Sequence, residues 1–283
     1  MIFGIIISNA KFLCAGLKIL SEAGKILSRR CKNLGVSLES VYPFVWLDAI
    51  HYKVKEEGAI QTKAVYCLLG VNREGVKDLL GLYIGENEGA RFWLNVLSDI
   101  QNRGVKDIII ACIDNLTGFA DAIETIFPRT EVQLCVVHQI RNSTRYVSTR
   151  DVKTVMKDLK EVYQAPTKDQ AEKGLAYLNE QWNEKYPSMV RSWLNNWERL
   201  SNYFKYPKEI RRIIYTTNII ESFHSQLRKA TKSKRVFSSD ISLLKLLYLI
   251  HNNIKGRWTG SMLGWKLTYA QMMILYEDRM KQH

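Results

Sequence analysis

The stretch Val41–Val54, VYPFVWLDAIHYKV, decides the fold, because it is an apolar run that carries a single acid, Asp48, near its middle. Its pattern predicts a central strand over Phe44–Val54. An unpaired carboxylate buried in such a strand costs several kcal/mol or loses its charge. Asp48 therefore needs a metal ion, a buried base or a hydrogen-bonded cap, although for one isolated Asp a structural role is the commoner case.

The segments that follow predict a mixed α/β sheet. Thr62–Val71 and Asp78–Ile84 have the composition of strands, and the Asn72–Gly75 turn between them indicates an antiparallel meander with the first strand. The next predicted elements are a helix over Glu88–Arg103, a strand over Asp107–Ile113, a helix over Thr117–Phe127 and a fifth strand over Glu131–Val137. With right-handed crossovers, this order is compatible with an RNase H-like core.

A second acid, Asp114, directly follows the apolar run DIIIACI. Open α/β sheets bind their ligands where buried strands end. Asp114 could equally be a turn or N-cap residue for the helix near Thr117. In an RNase H-like order the first and fourth strands are neighbours, so Asp48 and Asp114 would face one crevice. Their mutual repulsion would then be relieved by a divalent cation.

Glu221 is the third candidate acid. Asn218 and Glu221 have the spacing of an N-cap and an N3 residue, so Glu221 could simply begin a helix. The two roles are compatible, since a helix N-terminus favours an ionised carboxylate. Ile220, Phe223 and Leu227 form a stripe that we expect to face the core.

Basic residues surround Glu221. Over residues 205–235, only Glu209 and Glu221 oppose nine bases, namely Lys205, Lys208, Arg211, Arg212, Arg228, Lys229, Lys232, Lys234 and Arg235. The whole chain carries a net charge of +13, which fits nucleic acid as a partner and a merely solvated basic surface equally well. Three carboxylates in a basic field suit two hard cations about 4 Å apart and a phosphate backbone, the arrangement for in-line phosphoryl transfer.

Composition narrows the remaining possibilities. The chain has no apolar stretch of about 18 residues, so no transmembrane helix is expected. Its five cysteines are scattered without a CxxC pair, which disfavours a disulfide framework or a structural zinc site and favours a reducing cytosol. The apolar start MIFGIIISN lacks a basic region, so a secretory signal is the weaker interpretation.

We divide the chain into an atypical segment 1–40, a first core part 41–138, a helical insertion 139–205, and a closing part 206–283 with the last acid and C-terminal helices.

Four ordered blocks resemble the Mutator-type transposases of bacterial insertion sequences. The blocks are VYPFVWLDAIHYKV, the segment from Glu88 through GARFWLNVLSDIQNRGVKDIIIACIDNLTGFADAI, FPRTEVQLCVVHQIRN, and WERLSNYFKYPKEIRRIIYTTNIIESFHSQLRKATK. The resemblance implies an RNase H-like fold with a helical insertion and a DDE triad of Asp48, Asp114 and Glu221. It further implies two Mg²⁺ ions, for which Mn²⁺ could substitute, and strand cleavage and transfer at element ends through an excised circle.

The same resemblance implies the partners. They are double-stranded DNA, both terminal inverted repeats and target, and further copies of the chain, in the nucleoid of a bacterial cytoplasm. The residues expected to contact DNA are His138, Arg141, Arg211, Arg212, Arg228, Lys229, Lys232, Lys234 and Arg235.

Two pairs of side chains are open to more than one interpretation. Cys135 and His138 match the family's CxxH block, but two ligands alone disfavour zinc. His138 could orient a phosphate or simply pack at the start of the insertion. Trp193 and Trp197, four residues apart on one predicted helix, indicate core packing, with a stacking platform for an unpaired terminal base as the alternative.

Family members carry a substantial DNA-binding region before the first acid of the triad, whereas here only an atypical segment of about 40 residues precedes the core. We therefore expect an N-terminally truncated copy. Its function is either that of an active DNA-cutting enzyme or that of an inactive remnant that only binds DNA. An RNase H-like nuclease of another type is the third hypothesis.

Overall fold

Five strands form one mixed sheet in the computed structural model, which describes residues 37–85, 89–215 and 218–281. Most of the predicted 1–40 segment therefore lies outside the described residues. The strands are β1 (Val41–Glu56), β2 (Ala59–Val71), β3 (Lys77–Gly85), β4 (Asp107–Ile113) and β5 (Glu131–Leu134). Their order across the sheet is β3-β2-β1-β4-β5.

The pairing of the strands confirms the predicted meander and the predicted neighbours. β1 pairs antiparallel with β2, and β2 pairs antiparallel with β3. β1 then pairs parallel with β4, and β4 pairs parallel with β5. Residues 41–48 of β1 are all buried, as expected for a strand that is covered on both faces.

The first hairpin is longer than the sequence pattern predicted. β1 and β2 continue to Glu56 and Ala59, and only Glu57 and Gly58 separate them. Both turn residues have positive φ, 48° and 86°, which matches a two-residue hairpin turn whose twist follows that of the strands. The strand residues next to this turn are mostly polar. A prediction based on apolar runs therefore does not recognise them as part of the strands.

Eleven helices are assigned within the described residues. They are α1 (Ala90–Asn102), α2 (Phe119–Ile126), α3 (Val136–Thr144), α4 (Val152–Tyr163), α5 (Lys168–Trp182), α6 (Pro187–Leu200), α7 (Lys208–Tyr215), α8 (Asn218–Thr231), α9 (Asp240–Lys255), α10 (Trp265–Leu275) and α11 (Glu277–Lys281), with a 3-10 turn at Ser201–Lys205. In the part of the chain that the structure describes, every helix is too short or too polar to cross a membrane.

The fifth strand ends earlier than predicted. The prediction ran to Val137, but β5 ends at Leu134 and α3 begins at Val136. The Cys135 N–H still donates to the Ile113 carbonyl at 2.8 Å, as a strand residue would. The Cys135 carbonyl then accepts the Gln139 N–H at 3.0 Å, which begins the helical pattern. The apolar pair Val136-Val137 therefore belongs to a helix start.

Aromatic side chains fix α1 and α2 against the sheet. Trp93 of α1 is fully buried, with its ring 4.8 Å from that of Tyr66 on β2 and 4.5 Å from that of Phe119 on α2. Its indole N–H donates to the Thr117 carbonyl at 3.2 Å. This contact holds the loop that follows Asp114.

The C-terminal helix is tied to the start of β4. Arg279 of α11 is 7% exposed and donates two hydrogen bonds to the Asp107 carboxylate, at 2.8 and 2.7 Å. It also donates to the Ile108 carbonyl at 2.9 Å. A buried bidentate pair of this kind is sensitive to the loss of one partner, because the other charge is left uncompensated.

We therefore expect Arg279→Met to lower the free energy of unfolding by about 3–5 kcal/mol, as removal of one partner of a buried pair does. The matched control is Lys281→Met, since the pair between Lys281 and Glu277 is largely exposed and should contribute less than about 1 kcal/mol. Urea denaturation of the two variants measures both values. Equal losses in the two variants would contradict the role assigned to Arg279.

Candidate active site

Asp48 and Asp114 lie side by side on neighbouring strands. In the parallel pairing of β1 and β4, Leu47 is the partner of Ile113. Asp48 and Asp114 are the next residues on the two chains, so both carboxylates are at one level of the sheet. Asp48 is 8% exposed, and Asp114 is partly buried. The predicted juxtaposition of these two acids is therefore what the fold produces.

One imidazole bridges the two acids. His138 lies in the first turn of α3, which follows β5 directly. Its Nδ1 atom contacts Oδ1 of Asp114, and its Nε2 atom lies 3.9 Å from Oδ2 of Asp48. His138 thus lies in the acidic crevice and also at the start of the helical insertion, so its role in orienting a phosphate stays a prediction.

A second histidine, His224 of α8, was missed by the sequence analysis. Its Nδ1 atom lies 3.4 Å from Oδ2 of Asp48, and the side chain is 2% exposed. The predicted stripe of Ile220, Phe223 and Leu227 is buried as expected, but His224 is buried beside it. The sequence contained one feature that could have predicted His224 as a site residue. It follows Glu221 by three residues, and residues at this spacing are neighbours on the surface of a helix.

Glu221 reaches the same crevice through Arg141. The Arg141 guanidinium donates to Oε1 of Glu221 at 3.0 Å, and the carboxylate is 37% exposed. Arg141 follows His138 by three residues on α3, just as His224 follows Glu221 on α8. The two helices thus present two side chains each, one contacting the paired strands and one contacting the opposite helix. Side-chain detail for Asn218, the predicted N-cap, lies outside what the structure describes.

The pKa values of the two strand acids are shifted in opposite directions. Burial alone would raise the pKa of Asp48, but contact with His224 and the proximity of His138 outweigh it and hold that pKa below its ordinary value. Burial and the charge of Asp48 together raise the pKa of Asp114 despite the contact with His138. One acid is therefore firmly ionised, while the other has a stronger tendency to hold a proton.

His138 responds in the opposite way. Burial would lower its pKa, but the contacts with Asp114 and Cys135 outweigh burial and raise the pKa to about 10. At neutral pH the imidazolium places positive charge between the two carboxylates. The crevice therefore favours a cation at this position.

The carboxylates fit a hard divalent cation. Mg²⁺ takes oxygen ligands and prefers a few carboxylates together with water and phosphate oxygens. Oδ1 of Asp114 is inaccessible to solvent and lies against Nδ1 of His138. Coordination of a metal ion would compensate the same buried carboxylate charge in place of the imidazole.

The predicted DNA-binding bases separate into two groups. Five of them are exposed on α8 and in the segment after it, namely Arg228, Lys229, Lys232, Lys234 and Arg235. Arg141 and Arg212 are also exposed, and Arg212 donates to the Leu263 carbonyl at 3.3 Å. These seven side chains are accessible to a phosphate backbone.

Arg211 differs from the other bases. Its guanidinium donates to the main-chain carbonyls of Phe204, Tyr206 and Pro166. It also lies over the Phe204 ring, 5.6 Å from the centroid. Through these hydrogen bonds, Arg211 connects α7 to the segments that precede it. The sequence analysis did not predict this structural role.

The two tryptophans also differ. Trp193 is 1% exposed, and its indole N–H donates to Oγ of Ser143 at 2.8 Å. Stacking on a DNA base would require it to leave the core, so the core-packing interpretation fits it. The indole N–H of Trp197 donates to Glu172 at 3.2 Å. Because the side chain is only partly buried, part of its ring is accessible to solvent.

Comparison with known proteins places the chain in a family. Residues 33–261 match the family described as "Transposase, Mutator family". This chain belongs to that family. The match includes Asp48, Asp114 and Glu221, and it agrees with the resemblance carried by the four sequence blocks.

Two relatives illustrate the match. The chain is 43% identical over 243 residues to the "Transposase for insertion sequence element ISRM3" of Rhizobium meliloti, covering 86% of this chain and 61% of the relative. It is 40% identical over 279 residues to the "Probable transposase for insertion sequence element ISRM3-like" of Sinorhizobium fredii, covering 98% and 68% respectively. The chain thus spans about three fifths of the first relative's length.

The histidine contact gives a pH prediction. Because folding raises the pKa of His138 from 6.5 to about 10, the contact stabilises the fold below pH 6.5, and this contribution is lost as the pH rises through 10. In Asp114→Asn the pKa of His138 should fall well below 10, since only the contact with Cys135 then opposes the effect of burial. NMR titration of the metal-free protein measures it. Asp121→Asn, an exposed acid on α2, is the control, and an unchanged His138 pKa in Asp114→Asn would contradict the assignment.

Proposed function

We propose that this chain is the catalytic core of an insertion-sequence transposase with an RNase H-like fold, which cleaves DNA strands at element ends and joins them to target DNA. The catalytic residues would be Asp48, Asp114 and Glu221. Family membership supports the general activity. The observation that carries the catalytic assignment is the alignment of Asp48 with Asp114 on paired strands, with helix-borne Glu221 linked to the same crevice through Arg141.

The proposed reaction is an in-line phosphoryl transfer. Two Mg²⁺ ions, or Mn²⁺ in their place, would activate the attacking oxygen and stabilise the leaving oxygen when bound by the three carboxylates. Asp48, deeply buried and ionised, would act as the fixed ligand. Glu221, at the exposed side of the crevice, would close the ligand set after releasing Arg141.

Arg141 and His138 would then serve the substrate. With Asp114 and Glu221 holding metal ions, the two bases would lose their present partners and would be available as donors. Arg141 is exposed and suited to bidentate recognition of a phosphate. His138 is placed to orient a phosphate oxygen beside the acid pair.

The exposed bases of α8 and the following segment would bind the DNA backbone outside the crevice. Arg228 and Lys229 lie in the last turn of the helix that carries Glu221. A duplex bound there would therefore lie close to the crevice. In this scheme residues 41–138 and 206–283 form the catalytic core, residues 139–205 form the insertion, and several copies assemble on paired element ends.

An assay of strand cleavage and joining tests the proposal. The substrate is a plasmid carrying the DNA that flanks the gene on both sides, incubated with the full chain and Mg²⁺ or Mn²⁺. Asp48→Asn should lower product formation by at least about 10²-fold, since metal-ligand carboxylates contribute several kcal/mol of transition-state stabilisation. Asp121→Asn, whose carboxylate pairs with Arg199 at the surface, should retain wild-type rates.

The outcomes separate the hypotheses. If the wild type and Asp48→Asn show the same negligible activity although both bind DNA, the chain is a DNA-binding remnant and the proposal is wrong. Preferential cutting of an RNA–DNA hybrid would instead support an RNase H-like nuclease of another type.

DNA affinity should fall steeply with salt. Each Lys or Arg contact with a phosphate releases counterions and adds about 0.9 to the slope of log affinity against log salt. We expect the double variant Lys232→Ala/Arg235→Ala to reduce that slope by up to about 2 between 50 and 200 mM salt. The matched control is Lys153→Ala/Lys157→Ala, two exposed bases on α4. A flat salt response in the wild type would contradict backbone binding.

A further inference from the structure

The proposed reaction assigns no role to the side chain of Cys135, which also lies at the crevice. It is the N-cap residue of α3, between β5 and His138, and it is partly exposed. A thiol at such a position adds nothing to coordination of Mg²⁺, which selects oxygen ligands. Its neighbours, however, complete a different donor set.

We propose that Asp114, Cys135 and His138 form a second metal site that binds a thiophilic cation such as Zn²⁺. One ligand atom from each residue, a carboxylate oxygen, the thiol sulfur and an imidazole nitrogen, lies within 4.8 Å of the other two. All three side chains are partly exposed, so a cation can reach them from solvent.

The fold supplies the ligand that the sequence pattern lacked. The CxxH spacing places Cys135 and His138 one helical turn apart, and two ligands alone disfavoured zinc. The Cys135 N–H, however, donates to the Ile113 carbonyl at 2.8 Å, and Asp114 is the next residue. The pairing of β4 with β5 therefore brings an acid to the thiol and the imidazole.

The geometry is close to that of a zinc centre. Bonds of 2.0–2.3 Å in a tetrahedral site separate the ligand atoms by roughly 3.5 Å. Donor atoms within 4.8 Å need only small side-chain movements to reach that spacing. Three protein ligands would leave the fourth position for water, as in zinc sites that are open to exchange.

Two of the ligand atoms are already in contact. Oδ1 of Asp114 and Nδ1 of His138 are both inaccessible to solvent and lie against one another. A cation that takes nitrogen and oxygen ligands would bind between these two side chains in place of their mutual contact. Thiolate and imidazole ligands favour Zn²⁺ over Mg²⁺, and binding would release the thiol and imidazolium protons to solvent.

This site shares Asp114 with the proposed magnesium site but does not depend on it. The Asp114 carboxylate cannot serve fully as a ligand in both sites at the same time. Zn²⁺ should therefore compete with Mg²⁺ or Mn²⁺ at Asp114. Asp48 belongs only to the proposed magnesium site. Cys135 belongs only to the proposed zinc site.

The test uses Co²⁺ as a spectroscopic substitute for Zn²⁺ on the full chain after treatment with a chelator. We expect bound Co²⁺ to give a thiolate-to-cobalt charge-transfer band in the near ultraviolet, which added Zn²⁺ abolishes by displacement. Cys135→Ala should lose the band, and His138→Gln should weaken Co²⁺ binding by at least about 10-fold. Cys67→Ala, which removes a thiol buried in β2, is the matched control and should keep the band.

Two further results decide the matter. Asp48→Asn should keep the cobalt band even though it loses DNA cleavage, so failure of the proposed function and failure of this inference are distinguishable. Circular dichroism shows whether each variant is folded. The inference is overturned if folded wild type binds Co²⁺ without a thiolate band, or if the band persists in Cys135→Ala.

Discussion

The parallel pairing of β1 with β4 is the constraint on which the rest of the candidate site depends. It sets Leu47 opposite Ile113, so the two following acids are forced to the same level of the sheet. Asp48 is 8% exposed and Asp114 is partly buried, so bulk water screens the repulsion between the two carboxylates only in part. Two acids held together in this way need positive charge between them. The helices that cover this part of the sheet supply it.

The basic partners of the acids lie on two helices. His138 and His224 contact the strand acids, while Arg141 contacts Glu221. These contacts stabilise the crevice when no cation is bound, because each carboxylate has a basic partner. In the proposed function, a bound cation would relieve the same repulsion and would free the bases for phosphate. The same few side chains would then take part in fold stability, cation binding and DNA binding.

The sequence alone could predict the parts of this structure that depend on local apolar pattern. Buried runs located β1 and β4, and their order along the chain implied that Asp48 and Asp114 would be neighbours. Features that depend on tertiary contacts were not predictable in this way. The Val136-Val137 pair extends the β5 pattern but begins a helix. Arg211 is one base among nine in sequence, and only its three carbonyl partners set it apart.

The most direct measurement of the central claim is the anomalous diffraction of Mn²⁺ in crystals of the full chain. We predict Mn²⁺ bound between the carboxylates of Asp48 and Asp114, with Glu221 turned toward the ion and Arg141 released. Anomalous peaks elsewhere would contradict the account, as would crystals in which Mn²⁺ is in excess but His138 still contacts Asp114 and Arg141 still pairs with Glu221.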